Sequence, residues 1–341
     1  MMHSRRDLLF AMAGSASPRR LRSEWREILG KLEPNRADRR WFVDRMVARE
    51  LGSIDRGAYI RRHIELPLEV DFWQPGLLLV PKGIKRGERR PTVIAWASTT
   101  PDWQKPEDWW GTWLAGQGFV VLTSWAHIRN YRDGTSFKNG VSEKVYERFG
   151  RWAGLSRMVW DVRQQAHYLA SLPYVDSKRI GFIGSSLSAK TALYAAAFAP
   201  ELSATVAIDP HVPLWDGGTN YEEPWYLDCK RKFDDIATPE KTVLSLLQKT
   251  KPAHDHHELM IMAAPKPLLI VGGNDTNHSD GPSTLPLVEL GRKRYAELGV
   301  AERLQFHLLD TGHTPVHPKI DPLWQAFFTQ FLRGTGRNSR S

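Results

Sequence analysis

One cysteine, Cys229, stands in a chain of 341 residues. That leaves no partner for an internal disulfide and excludes a Cys-based zinc site. No stretch approaches the roughly 18 consecutive apolar residues of a membrane span, and internal repeats and low-complexity tracts are absent too. Acidic charge is in deficit, 38 Asp and Glu against 47 Lys and Arg, for a net charge of +9. Most of that excess lies before residue 63, in runs such as Arg19-Arg20-Leu21-Arg22 and Arg39-Arg40. A local basic run without a nucleic-acid reader motif is solvated helix surface or targeting sequence, so no nucleic-acid partner is expected.

What is there is an ordinary globular composition, 41% hydrophobic and 25% charged, with an unusual fourteen Trp. Ser4-Arg5-Arg6-Asp7-Leu8-Leu9-Phe10 has the form of a twin-arginine export signal. Ala11-Met12-Ala13 offers a small-x-small cleavage site, although the apolar run is short. Residues 1–18 therefore read either as a signal, with the protein exported, or as a frayed helix on a cytoplasmic one.

Residues 19–58 read as a helical extension. Trp25, Ile28, Leu29 and Leu32 recur at helical spacing, Pro34-Asn35 breaks the pattern, and Trp41, Phe42, Met46 and Val47 resume it until Gly52. From Tyr59 the periodicity becomes that of strands, first over 60–70 and 76–80. Short apolar strands then alternate with helices, which predicts a mostly parallel central sheet with helices on both faces over residues 59–335. The strands fall at 92–97, 119–124, 179–183, 204–209, 267–271 and 304–309. The helices fall at 107–117, 157–172, 187–199, 285–298 and 320–332. Two insertions, 125–153 and 210–264, are long enough to carry a lid or their own helices.

The most informative stretch is Gly184-Ser185-Ser186-Leu187-Ser188, between the apolar strand Arg179–Ile183 and the Ala-rich helix from Leu187. A nucleophile elbow needs that strand–turn–helix context, with small residues two before and two after the nucleophile. Ser186 is the candidate nucleophile, with Ser185 one residue early; the bland reading is a helix N-cap. Ser188 stands where Gly is usual. The turn would aim the Leu187 amide at a substrate carbonyl, helped by the helix dipole.

A serine hydroxyl needs a His to take its proton and a carboxylate to orient that His. His313 follows the last strand, in Asp310-Thr311-Gly312-His313-Thr314-Pro315, with His317 as alternative. Asp275 leaves the strand Pro267–Val271 through Gly272-Gly273-Asn274, with Asp209 and Asp280 as competitors. Chain order favours Asp275. His254, His256 and His257 cluster, but no metalloprotease Glu accompanies the His313/His317 spacing, so no metal site is expected.

With these residues placed, the chain resembles the acetyl xylan esterase and dienelactone hydrolase-like group of the α/β-hydrolase superfamily, which includes relatives of glucuronoyl esterases. The likeness covers roughly residues 59–333. It rests on Gly76-Leu77-Leu78-Leu79-Val80-Pro81-Lys82-Gly83, the segment 114–122, Met158-Val159-Trp160-Asp161-Val162-Arg163 with Leu172-Pro173-Tyr174-Val175-Asp176, and His257-Glu258-Leu259-Met260 with Ala264-Pro265-Lys266-Pro267. The resemblance implies the α/β-hydrolase fold and a Ser186–His313–Asp275 triad. It further implies no metal or organic cofactor, and small-acid or carbohydrate-linked esters as substrates. It also implies a second oxyanion amide after the strand ending at Ile94-Ala95, where relatives often carry His-Gly. This chain has Trp96-Ala97-Ser98-Thr99-Thr100, so the donor would be the amide of Ser98 or Thr99. A peptidase or amidase of this fold, or a non-catalytic binding protein, fits the same pattern.

The tryptophans divide. Trp103, Trp109, Trp110 and Trp113 either stack on sugar rings or cover the sheet, and covering is the simpler reading. Trp125, Trp152, Trp215 and Trp225 fall in the two insertions. There Trp125 and Trp215 are the candidates for lining a substrate pocket. Nothing in the pattern bears on oligomeric state.

Overall fold

The computed structural model describes residues 17–35, 37–43, 46–98, 102–125, 148–150, 152–213, 254–273 and 281–333. The twin-arginine segment, Thr99, Trp215, Trp225, Asp275 and Asp280 lie outside the described residues.

Among the described residues nine strands form one sheet. They are β1 (Arg49–Asp55), β2 (Tyr59–Glu69), β3 (Phe72–Pro81), β4 (Arg90–Trp96), β5 (Val120–Ser124), β6 (Val175–Ser185), β7 (Ala204–Ile208), β8 (Leu268–Gly273) and β9 (Leu304–Leu309). Their spatial order is β1-β2-β3-β5-β4-β6-β7-β8-β9. From β4 to β9 all pairings are parallel, while β1, β2 and β3 are antiparallel additions at one edge. The short strands β5, β7 and β8 are buried at every residue, which is why they read as unbroken apolar runs rather than alternating ones. The chain leaves β4 towards β5 on one side and later returns to place β6 on the other. That reversal opens a crevice at the carboxyl ends of β4 and β6, the usual ligand position in open α/β sheets.

One face of the sheet is covered by α1 (Pro18–Leu29), α3 (Gly154–Ala170), α4 (Leu187–Phe198), α5 (His257–Ala263) and α6 (Gly281–Glu297). The other carries α2 (Thr112–Gly116), entered through a π turn over Glu107–Gly111, and α7 (Asp321–Phe328). Every residue of α4 is buried, the Ala-rich helix carrying even Ser188, Lys190 and Thr191 inside the fold. Gly181 in β6 faces α7 and the turn after it, where a Cβ would lie 2.6 Å from Leu332 and 2.9 Å from Phe328. Among the described residues no helix is long and apolar enough to cross a membrane.

The extension differs from expectation in its second half. Ser17 caps α1 by accepting the Arg20 amide at 3.3 Å, and Gly30 at φ 79° ends it. No helix follows among the described residues of 41–52. A short 3-10 turn, Asp38–Arg40, leads into a loop whose Phe42 packs on Phe149 at 4.9 Å, and the chain then enters β1. The helical spacing of Trp41, Phe42 and Met46 thus reflects a loop plugged into the core, and the sheet begins at Arg49 rather than near residue 60.

Candidate active site

Ser186 connects β6 to α4 at φ 55° and ψ −117°, a region that costs an L-residue about 1–3 kcal/mol. The turn is held open by its neighbours. The Ser186 amide donates to the Ile208 carbonyl at 3.0 Å, tying the turn to the end of β7, and its own carbonyl accepts the Lys190 amide at 3.0 Å. Gly184 is obligatory, because a Cβ there would lie 2.5 Å from the Ser188 carbonyl oxygen and 2.7 Å from its Cβ. The Leu187 amide begins α4, where helix N–H groups have no intrahelical partner.

Asp209 follows β7 directly, buried, at φ 60°. Its amide donates to Val271 in β8 at 2.6 Å, and its Oδ1 accepts the Gly273 amide at 3.3 Å. Its Oδ2 bonds Nδ1 of His313, four residues beyond the end of β9. A carboxylate on Nδ1 selects the tautomer whose unprotonated Nε2 is the basic nitrogen. The His313 side chain is one-third exposed, with accessibility 32%. The loop reaches Asp209 because β8 ends without a side chain in its way: a Cβ on Gly273 would lie 2.0 Å from the Gly312 carbonyl. Gly312 itself turns the loop at φ 63°.

Ser186, Asp209 and His313 therefore lie at the carboxyl edge of the same parallel sheet, after β6, β7 and β9. Ser98, half-buried, stands at that edge after β4, and Trp96 at the strand's end pairs with Gly184 in β6. Trp125, also half-buried, leaves the end of β5, its carbonyl accepting from Gln74 Nε2. His317 is turned away from base duty, since its Nδ1 accepts the Lys319 amide at 3.1 Å. Sequence order pointed to Asp275 as the acid. The imidazole in this structure is held by Asp209, which only the proximity of adjacent strand ends would have favoured.

Other candidates resolve into packing. Trp110 is buried with its indole N–H on the Pro315 carbonyl at 3.3 Å, and Trp113 meets Trp324 of α7 edge-on at 5.2 Å. The Trp-rich segment thus joins α2 to α7. His254 bonds Glu258 at 2.7 Å, while His256 bonds Tyr194 at 3.1 Å and the Val212 carbonyl at 2.7 Å. Among the described residues no group of three or more metal-ligating side chains comes together.

A parallel sheet with this strand order, a strained serine at its carboxyl edge and an Asp–His pair beside it define an α/β hydrolase. Residues 163–333, half of the chain, match the family described as BAAT / acyl-CoA thioester hydrolase C terminal, and the chain belongs to that family. No curated protein matches it in sequence. Among solved structures it is similar to a glucuronoyl esterase from Solibacter usitatus, with 14% identity, a TM-score of 0.65, and 89% of this chain and 90% of that one covered. A promiscuous CE15 esterase from a marine bacterial metagenome gives 15% identity, a TM-score of 0.64 and 93% of both chains. A carbohydrate esterase family 15 glucuronoyl esterase from Caldicellulosiruptor kristjansonii gives 18%, 0.60, and coverage of 93% and 86%. At these identities the likeness is one of fold.

Proposed function

We propose that the chain is a serine hydrolase of carboxylic esters, with Ser186 as nucleophile, His313 as base and Asp209 as the acid that orients it. The observation that carries this reading is the bond from Asp209 Oδ2 to His313 Nδ1 at the edge where Ser186 is held in a strained turn. His313 Nε2 takes the Ser186 proton as Oγ attacks the ester carbonyl. The Leu187 and Ser98 amides donate hydrogen bonds to the carbonyl oxygen as negative charge develops on it. The imidazolium then protonates the leaving alcohol, and the same nitrogen activates water to release the acid. No cofactor takes part in these steps.

The substrate class follows from what the chain is similar to: a carbohydrate-linked or acetyl ester, with Trp125 and Trp215 lining the crevice. A carbohydrate ester met outside the cell would agree with reading residues 1–18 as an export signal. The family's name favours one further substrate, a thioester, whose carbonyl the same machinery would attack. Hydrolysis of p-nitrophenyl acetate and of a small S-acetyl thioester by wild type and Ser186→Ala tests both. We expect Ser186→Ala to lose at least about 10³-fold in kcat on every substrate that wild type turns over. Equal rates in the two proteins would end the proposal. An amide panel run alongside separates a peptidase, and failure of a fluorophosphonate to label Ser186 would point to a non-catalytic protein.

A further inference from the structure

Two departures from the common elbow pattern, Ser188 in place of Gly and Trp96-Ala97-Ser98 in place of His-Gly, meet in one hydrogen bond. The Ser188 hydroxyl donates to the Ala97 carbonyl at 2.7 Å, and both residues are fully buried. That carbonyl belongs to the same peptide unit as the Ser98 amide. A trans peptide is planar with C=O and N–H pointing in opposite directions, so pinning the oxygen fixes where the N–H points. It also polarises the unit, which strengthens the N–H as a donor. The preceding unit is anchored as well, the Ala97 amide donating to Ser124 at 3.0 Å. Ser188 cannot drift, because its backbone and Cβ press against Gly184, where any added Cβ would lie within 2.7 Å.

We propose that Ser188 is a positioning residue for the oxyanion hole: its hydroxyl orients the Ala97–Ser98 peptide so that the Ser98 amide meets the oxyanion formed on attack by Ser186. This rests on the active-site reading above. A Gly at 188 offers no such bond, so in this chain the elbow itself does the holding that the His-Gly segment of relatives would otherwise do. The expected effect lies in the transition state, because the oxyanion exists only there.

The test is steady-state hydrolysis of p-nitrophenyl acetate by the full chain and its Ser188→Ala and Ser188→Gly variants, with rates of fluorophosphonate labelling of Ser186. A tetrahedral phosphonyl adduct places an oxygen in the same hole. Both variants are expected to lose about 10- to 100-fold in kcat, less than the loss typical for deleting a donor outright. KM should stay within about twofold and the pH profile of kcat should be unchanged, while labelling slows by a factor similar to that in kcat. A residue that only packs would move the melting temperature and leave that split absent. Should Ser188→Ala fail to fold, Ser188→Gly carries the test, since glycine is the residue this turn usually holds. Rates for a folded variant within twofold of wild type, or a loss carried by KM, would overturn the positioning role. If Ser188 variants match wild type while Ser186→Ala is inactive, only the positioning role falls. Wild-type activity in Ser186→Ala would bring down the active-site reading itself.

Discussion

Asp209 does two jobs through one short side chain. Its left-handed backbone places the carboxylate under the sheet edge, and its two oxygens are divided between the Gly273 amide and the His313 ring. An amide in its place would have to choose which side presents oxygen, and would favour the wrong imidazole tautomer. Asp209→Asn is therefore expected to lower kcat by about 10³- to 10⁴-fold with the fold intact by circular dichroism. Asp275→Asn should stay within about threefold of wild type; the opposite ranking would return the acid to Asp275. The Ser186 turn and the His313 loop were legible as candidates because each follows an apolar strand among small residues. That Asp209 would hold the imidazole was not, for a physical reason. β7 and β8 are neighbours, about 4.8 Å apart, so strand order gives little ground for choosing a carboxylate after one rather than the other. The close approach of Gly273 to Gly312, which brings the His313 loop over the end of β8, is likewise announced by no local pattern.

The six parallel strands and the helices between them were readable because apolar runs of five or six residues and 3.6-residue periodicity are properties of single segments. β1 was not, since all seven of its residues are exposed and it carries no alternation. Its strand character comes from pairing with β2, with Ile54 opposite Arg61, and so from a partner rather than from itself. The first helix of the extension was visible, though its purpose was not. Trp25 of α1 is buried, its indole N–H donating to Glu258 of α5 at 2.6 Å and its ring meeting Tyr194 of α4 edge-on at 5.7 Å. Glu258 also holds His254. Burial would lower that imidazole's pKa, but the hydrogen bond and charge of Glu258 outweigh it and the net direction is up. Beside this cluster His256 bridges Tyr194 and the Val212 carbonyl, three residues after Asp209, so α1 supports the segment that carries Asp209. Trp25→Ala should cost about 3–5 kcal/mol in urea unfolding. A loss under 1 kcal/mol would mean that α1 is an appendage.

At the scale of the whole molecule, chemistry and cationic charge occupy opposite edges of the sheet. α4 carries Ser186 at its start. At its far end lies a cavity of about 740 Å³ walled by Arg22, Arg26, Arg163 and Lys266, with Glu33 among them. These cations are largely spent on the fold. Arg22 donates to the Ala197 and Met262 carbonyls, Lys266 to Ala199 at 2.9 Å, and Arg163 pairs with Glu33 and Glu201. Lys266 bears the strain of that arrangement: burial, and then the charge of Arg22, bring its pKa down to about 8. An ammonium whose folded pKa lies below its unfolded one destabilises the native state wherever both are charged. The penalty is complete below pH 8 and is relieved as pH rises towards 10.5, because the unfolded chain then holds the proton that the folded one has released. A shift of this size corresponds to about 3 kcal/mol, from which the lost bond to Ala199 subtracts about 1 kcal/mol in a variant without the amine. Lys266→Met should therefore be about 2 kcal/mol more stable than wild type near pH 7.5, an advantage that shrinks by pH 9.5. The upper limit keeps clear of tyrosine ionisation in the unfolded chain, which begins near pH 10. Urea unfolding of both proteins at the two pH values decides it. A difference that does not change with pH would show that Lys266 titrates normally and that the basic wall is relaxed, while hydrolysis by the variant should match wild type at either pH because the proposed nucleophile, Ser186, lies at the other end of α4.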